Sequence, residues 1–232
     1  MQRRTLLALA TLGVAFVAAV LWRLGPALGP DRAEIALTEL GPTLRRELAA
    51  RGSSLGAPAF VRIFKEPPLL ELWTRGEEHF ALFRSYPICR YSGKLGPKTR
   101  EGDRQAPEGF YRVLAEQLNP RSRFHLSFDL GYPNAYELAL GFSGNALMVH
   151  GSCVSIGCYA MGDAAIREIY TVISEALRAG QDGVWVHAFP FPLTPESLRQ
   201  RQGSEFVGYW RSLAPAFEAF ERTRVPPAIE VT

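Results

Sequence analysis

The spacing of apolar positions changes several times along the chain, and each change marks an element. Thr5 to Trp22 are eighteen consecutive residues without a charge, preceded by Arg3 and Arg4 and followed by Arg23. At about 1.5 Å per residue such a helix spans roughly 27 Å, the hydrocarbon thickness of a bilayer. The pattern predicts a segment that enters the inner membrane, with the leading arginines kept in the cytoplasm and the rest of the chain exported. The run is longer than an ordinary signal-peptide core and ends in no A-x-A motif, which favours a retained anchor over a cleaved signal peptide. Gly25 to Pro30 is a breaker-rich link. Asp31 to Arg51 reads as a short amphipathic helical region broken at Gly41-Pro42, with Leu44, Leu48 and Ala49 on one stripe. It serves as a spacer or packs on the main domain, and 52–58 is a second link.

From Ala59 the period shortens to two. Phe60, Arg62 and Phe64 alternate with Val61 and Ile63, and Leu69 to Thr74 turns through Arg75-Gly76-Glu77 into a returning run from His79 to Ser85, a hairpin by spacing. Further strands are predicted at 110–114, 124–128, 146–150 and 184–189. The connection 91–109 (YSGKLGPKTREGDRQAPEG) is polar and glycine-rich, of the length that is functional or disordered in a compact domain. The clearest helix runs from Asp163, read as its N-cap, to Gly180, with Ile166, Ile169, Tyr170, Ile173 and Leu177 on its buried face. Helices at 195–201 and 205–221 close the chain. These elements predict an α+β domain with a β-rich core.

Composition agrees. Apolar residues are 47% and charged residues 21%, with 14 Phe, 8 Tyr and 4 Trp, enough for a real core and unlike a disordered or fibrous chain. The net charge of +3 includes Arg3 and Arg4, and no clustered basic face exists, so no nucleic-acid partner is expected. Three cysteines are too few for a disulfide scaffold or a four-ligand zinc site, and no metal or other cofactor is expected.

Candidate chemistry concentrates between Met148 and Met161. An apolar strand ends at His150, and a seven-residue loop brings Cys158 back ahead of the helix. A thiol ionises with a pKa near 8.5, so it needs a neighbouring base or cation to attack at neutral pH. Gly157 permits a turn whose amides converge on one point, an oxyanion hole. A metal half-site, or a buried cysteine beside a turn histidine, fits the His-to-Cys spacing as well.

His150-Gly151 followed by Ser155-Ile156-Gly157-Cys158 resembles the signature of the L,D-transpeptidase (YkuD-type) catalytic domain. SGKLGPK at 92–98, EGDRQAPEGFY at 101–111, HLSF at 125–128, GYPNAY at 131–136 and VHAFPF at 186–191 resemble its YafK-like branch. The resemblance implies an L,D-transpeptidase-type sandwich with flanking helices over residues 59–193. Residues 1–22 are then the anchor or signal, 23–58 a linker and 194–232 a helical extension. It further implies a periplasm-facing enzyme acting on peptidoglycan stem peptides. Cys158 would attack the diaminopimelyl carbonyl, His150 would move the proton, and the Gly157 and Cys158 amides would hold the oxyanion. An amine resolves the thioester in transpeptidation. Water resolves it in a hydrolytic amidase that frees peptide or a wall-linked lipoprotein. A wall-binding module without chemistry is the third reading. Two positions depart from the wider family: Ile156 stands where many relatives have His, and Ala160 where they have Arg.

Around this centre, Ser155 and the Gly-Tyr-Pro-Asn turn with Tyr132, Asn134 and Tyr136 are candidates for binding substrate. So is His125, read as facing the same way as Ser127 on an alternating strand, opposite Phe124, Leu126 and Phe128. Lys94, Lys98, Arg100 and Arg104 could meet stem-peptide carboxylates. His187 reads as core and His79 as solvated. A backbone carbonyl could orient His150. Catalysis needs Cys158 free, so Cys89 and Cys153 are expected to pair or both to be buried.

Overall fold

The computed structural model of the protein describes residues 31–229. The apolar run at 5–22 lies outside them; among the described residues no helix is long and apolar enough to cross a membrane. Helix α1 (Arg32–Ala49) comes first. The chain continues through β1 (Ala59–Phe64), β2 (Leu69–Arg75), β3 (Phe80–Pro87), β4 (Arg90–Tyr91) and β5 (Gly109–Val113). Next come β6 (Leu118–Asn119), β7 (Ser127–Asp129), α2 (Ala135–Ala139), β8 (Met148–His150) and β9 (Tyr159–Ala160). Helix α3 (Asp163–Arg178), β10 (Val184–Phe189), α4 (Pro195–Gln200) and α5 (Val207–Thr223) complete it.

Two five-stranded sheets result, in the orders β3-β2-β1-β10-β5 and β4-β9-β8-β7-β6. In the first, β1 and β10 run parallel at the centre and are covered on both faces, which is why all six residues of β1 are buried. Val61 and Ile63 face the main core with α1, α3 and the inner face of the second sheet (Phe128, Val149, Tyr159). Phe60 and Phe64 face the other way, toward Phe217 and Phe220 of α5. The two sheets and flanking helices are the expected α+β architecture.

Helix α1 runs unbroken through Gly41-Pro42, where a break was expected. A proline inside a helix costs about 3 kcal/mol because it removes a hydrogen bond and crowds the preceding turn. Packing offsets this: Ala36, Leu44 and Leu48 are buried in the main core, and Glu34 and Glu39 pair with Arg178 and Arg167 of α3. The region is therefore a helix packed on the domain. Helix α3 follows its apolar spacing, with Ile166, Ile169, Tyr170 and Ile173 buried and Leu177 half-buried. Its cap is Gly162, one residue before the expected Asp163.

The connection 91–108 is ordered by a buried ion pair. Lys65 Nζ lies 2.9 Å from Glu108 Oε1 with both side chains fully buried. The same ammonium donates to the carbonyls of Gly96 and Ala106 at 2.8 and 2.7 Å. Glu108 in turn accepts from Gly96 N–H and from the Trp210 indole, each at 2.8 Å, tying the loop to α5. Lys98 is spent in the same way, on Asp103 at 2.6 Å, and is buried. It is not a cation waiting for substrate, whereas Lys94, Arg100 and Arg104 are exposed.

Candidate active site on the second sheet

Strand register decides which side chains share the outer face of the second sheet. Ser127 pairs with His150 and Asp129 with Met148 across β7 and β8. Parallel β9 pairs Tyr159 with Val149 and Ala160 with His150, which sets Cys158 beside Met148. Side chains alternate along strands, so Val149, Phe128 and Tyr159 enter the core. Ser127, Asp129, Met148, His150 and Cys158 share the opposite face.

The loop between His150 and Cys158 is held at both ends. Gly151 fits only because it has no side chain: a Cβ there would lie 2.6 Å from the Phe124 carbonyl and 2.7 Å from Asp163 Oδ1. Asp163 Oδ1 instead accepts the Ser152 N–H at 2.7 Å. Cys89 and Cys153 are joined in a disulfide and Cys158 is a free thiol, one of the two arrangements expected from sequence. Near the far end, Ser155 Oγ donates to the Cys158 carbonyl at 2.7 Å and accepts from Gly157 N–H at 3.2 Å. Gly157 has φ +145, a backbone state that side chains disfavour. Ser155 thus builds the turn that presents the thiol, and the Gly157 amide is engaged within that turn.

His150 is 2% exposed and stacks on Phe124 with ring centroids 4.6 Å apart. Its Nδ1 lies 2.5 Å from the Gly151 carbonyl, which can only accept, so Nδ1 carries the proton and Nε2 presents a lone pair. The orienting group is the backbone carbonyl that the sequence left open. Burial holds the imidazole pKa below its ordinary value. The thiol accepts from Met148 N–H at 3.4 Å. Burial raises its pKa, and the Asp129 carboxylate adds to the rise. At rest both groups are neutral.

The other candidates divide. The Tyr132 hydroxyl is consumed internally, donating to the Lys98 carbonyl at 3.0 Å, and the residue is buried. Asn134 caps α2, accepting from Glu137 N–H and donating to the Phe110 carbonyl. The oxygen and the nitrogen of that side-chain amide both serve the fold rather than a ligand. Tyr136 is half-buried, stacks on Tyr209 and lines a 540 Å³ cavity with Phe110 and Trp185. His125 is not on a strand: it has φ +71, β7 begins two residues later, and its backbone carbonyl accepts from Arg32. His187 is core, fully buried against Phe60 and Phe110. His79 is exposed.

Sequence reasoning missed Ser127, Asp129, Met148 and Phe124, which surround the thiol and imidazole. HLSFD was legible as a strand, and its alternation, carried one step past Ser127, reaches Asp129. Ser127, Asp129 and Met148 line a cleft of about 610 Å³ beside the thiol. Among the described residues no group of three His, Cys, Asp or Glu side chains could hold a metal ion.

Residues 60–200 match the YkuD family, the L,D-transpeptidase catalytic domain. YafK of Escherichia coli strain K12 is 45% identical over 177 residues, covering 76% of this chain and 72% of that protein, and YafK of strain O157:H7 matches equally. Among solved structures, the helical cell shape determining protein Pgp2 of Campylobacter jejuni (K307A mutant) is 21% identical with a TM-score of 0.47, covering 70% of this chain. The chain spans 57% of that structure's length. Bd1075 of Bdellovibrio bacteriovorus is 19% identical with a TM-score of 0.42, covering 68% of this chain and 58% of its own. The family match spans both halves of the candidate site, His150-Gly151 and Ser155 to Cys158, and the chain belongs to the YkuD family of L,D-transpeptidase catalytic domains.

Proposed function

We propose that this protein is a cysteine acyltransferase that acts on peptidoglycan stem peptides at the periplasmic face of the inner membrane, held there by residues 5–22. One observation carries the reading: the free thiol of Cys158 shares a sheet face with His150, whose Nδ1 is fixed by the Gly151 carbonyl at 2.5 Å. That leaves Nε2 as the base.

Because burial raises the thiol and depresses the imidazole, the resting pair is not a preformed thiolate–imidazolium. His150 Nε2 takes the Cys158 proton as sulfur attacks the diaminopimelyl carbonyl. The Gly157 and Cys158 amides receive the oxyanion, Gly157 exchanging its long bond to Ser155 Oγ. One such donor is worth about 3–4 kcal/mol at comparable sites. Imidazolium then protonates the departing amine, which leaves a thioester. An incoming amine, deprotonated by His150, restores an amide and the thiol; water in its place yields a carboxylic acid.

Incubating the full chain with purified sacculi tests this. New diaminopimelyl–diaminopimelyl cross-links identify transfer, and freed tripeptide ends or a released wall-linked lipoprotein identify hydrolysis. Products that persist in Cys158→Ala, or binding to sacculi without any product, would remove the enzymatic reading.

A further inference from the structure

The cleft beside the thiol has a feature that acyl transfer leaves unused. Ser127 is fully buried where it lines the cleft, and its Oγ has no hydrogen-bond partner. A buried hydroxyl is costly to leave unpaired, so this one is poised for a group that arrives from the cleft. Two positions along the same strand face stands Asp129, its Oδ1 fixed by Gly131 N–H at 2.8 Å. Glu116 lies on the same wall, and no Lys or Arg is among the described residues that line it. The cleft therefore favours a cation.

We propose that Ser127 and Asp129 receive the amino-acid head at the far end of the acyl residue's side chain. Asp129 takes its ammonium, and the Ser127 hydroxyl donates to the carboxylate beside it. Asp129, Met148 and Cys158 form a row across three strands, and at about 4.8 Å per strand the outer two stand roughly 10 Å apart. From a diaminopimelyl carbonyl to its distal amine the span is about 7 Å extended, which bridges that row once the side chains of Cys158 and Asp129 supply the remainder. The proposal rests on the acyl-transfer reading and names the residues that select its donor.

Two synthetic stem peptides, identical except that the distal amine is free or acetylated, separate the two ideas. With the full chain, the free-amine peptide is expected to be used about 10- to 100-fold better in kcat/KM, the range of one charge-assisted contact. In Asp129→Asn that preference falls to near unity, mainly through KM of the free-amine peptide. Any change common to both peptides reflects the thiol instead. Ser127→Ala weakens both peptides, which share the carboxylate. Binding of the same peptides to Cys158→Ala, read by calorimetry, is independent of turnover. A binding preference without turnover upholds the ammonium site and removes the acyl-transfer reading. Turnover without preference, or a preference intact in a folded Asp129→Asn protein, overturns the site. Neither binding nor turnover overturns both.

Discussion

Replacing His187 with phenylalanine should make the protein more acid-resistant by a calculable amount. His187 is fully buried on β10, with ring centroids 4.8 Å from Phe60 and 4.5 Å from Phe110, and neither ring nitrogen has a hydrogen-bond partner. Burial, reinforced by the nearby Arg62 cation, pushes its pKa down from 6.5 to about 3. The folded value lies below the unfolded one, so between pH 6.5 and 3 the unfolded chain binds a proton that the folded chain refuses. Stability is lost as pH falls through that window. At pH 7.5 the linked cost is negligible, and at pH 5 it is about 2 kcal/mol. A phenyl ring takes no proton, so the cost vanishes. Any strain from its extra volume is independent of pH and cancels in the comparison.

For a domain of about 200 residues, 1 kcal/mol moves Tm by roughly 2–4 °C. His187→Phe should therefore gain about 4–8 °C more at pH 5 than at pH 7.5, relative to parent. Thermal melts followed by circular dichroism at both pH values read this directly. His150, whose pKa is also depressed by burial, makes the parent acid-sensitive too but is common to both proteins. An identical Tm increment at the two pH values would refute the reasoning, because His187 would then titrate alike in the folded and unfolded chain.

Other outcomes follow from the same structure. Glu108→Gln leaves the Lys65 ammonium buried without its counter-charge and should cost about 3–5 kcal/mol in urea unfolding; unchanged stability would deny that the loop is organised by this pair. Cys89→Ser opens a bridge between residues 64 apart, worth about 4 kcal/mol if loop entropy in the unfolded chain dominates, and a loss below about 1 kcal/mol would contradict it. Alkylation of Cys158 by iodoacetamide should show a pH midpoint above the ordinary thiol value, because burial and then Asp129 raise it. The midpoint should fall in Asp129→Asn, and an ordinary or depressed midpoint in the parent would overturn the neutral resting pair. Gly151→Ala drives its Cβ into the Phe124 carbonyl and Asp163, and the displaced loop should cut acylation by about 100-fold while thermal melts report a folded domain.

Elements whose signal is local were legible from sequence. The apolar face of α3 and the alternation in β1 and β10 are properties of a few adjacent residues, and each lies where its spacing puts it. The order in 91–108 was not legible, because it comes from Lys65, Glu108 and Trp210, which are distant in sequence and meet only on folding. Helix α2 is five residues long, too short for periodicity, and Asn134 reads equally as a turn or a cap. At the site, the His150 and Cys158 pattern was visible because one loop carries both. Asp129 and Ser127 stayed hidden because their strand meets the His150 strand only on folding, and the register between the two decides which face carries the site.

Intact mass of the full chain after brief incubation with a synthetic stem tetrapeptide and acid quenching tests the role of Cys158 most directly. The account predicts an added mass equal to the tripeptide acyl group, mapped to Cys158, cleaved by hydroxylamine and absent from Cys158→Ala. Product release from the parent with an adduct on another residue, or undiminished release from Cys158→Ala, would contradict it.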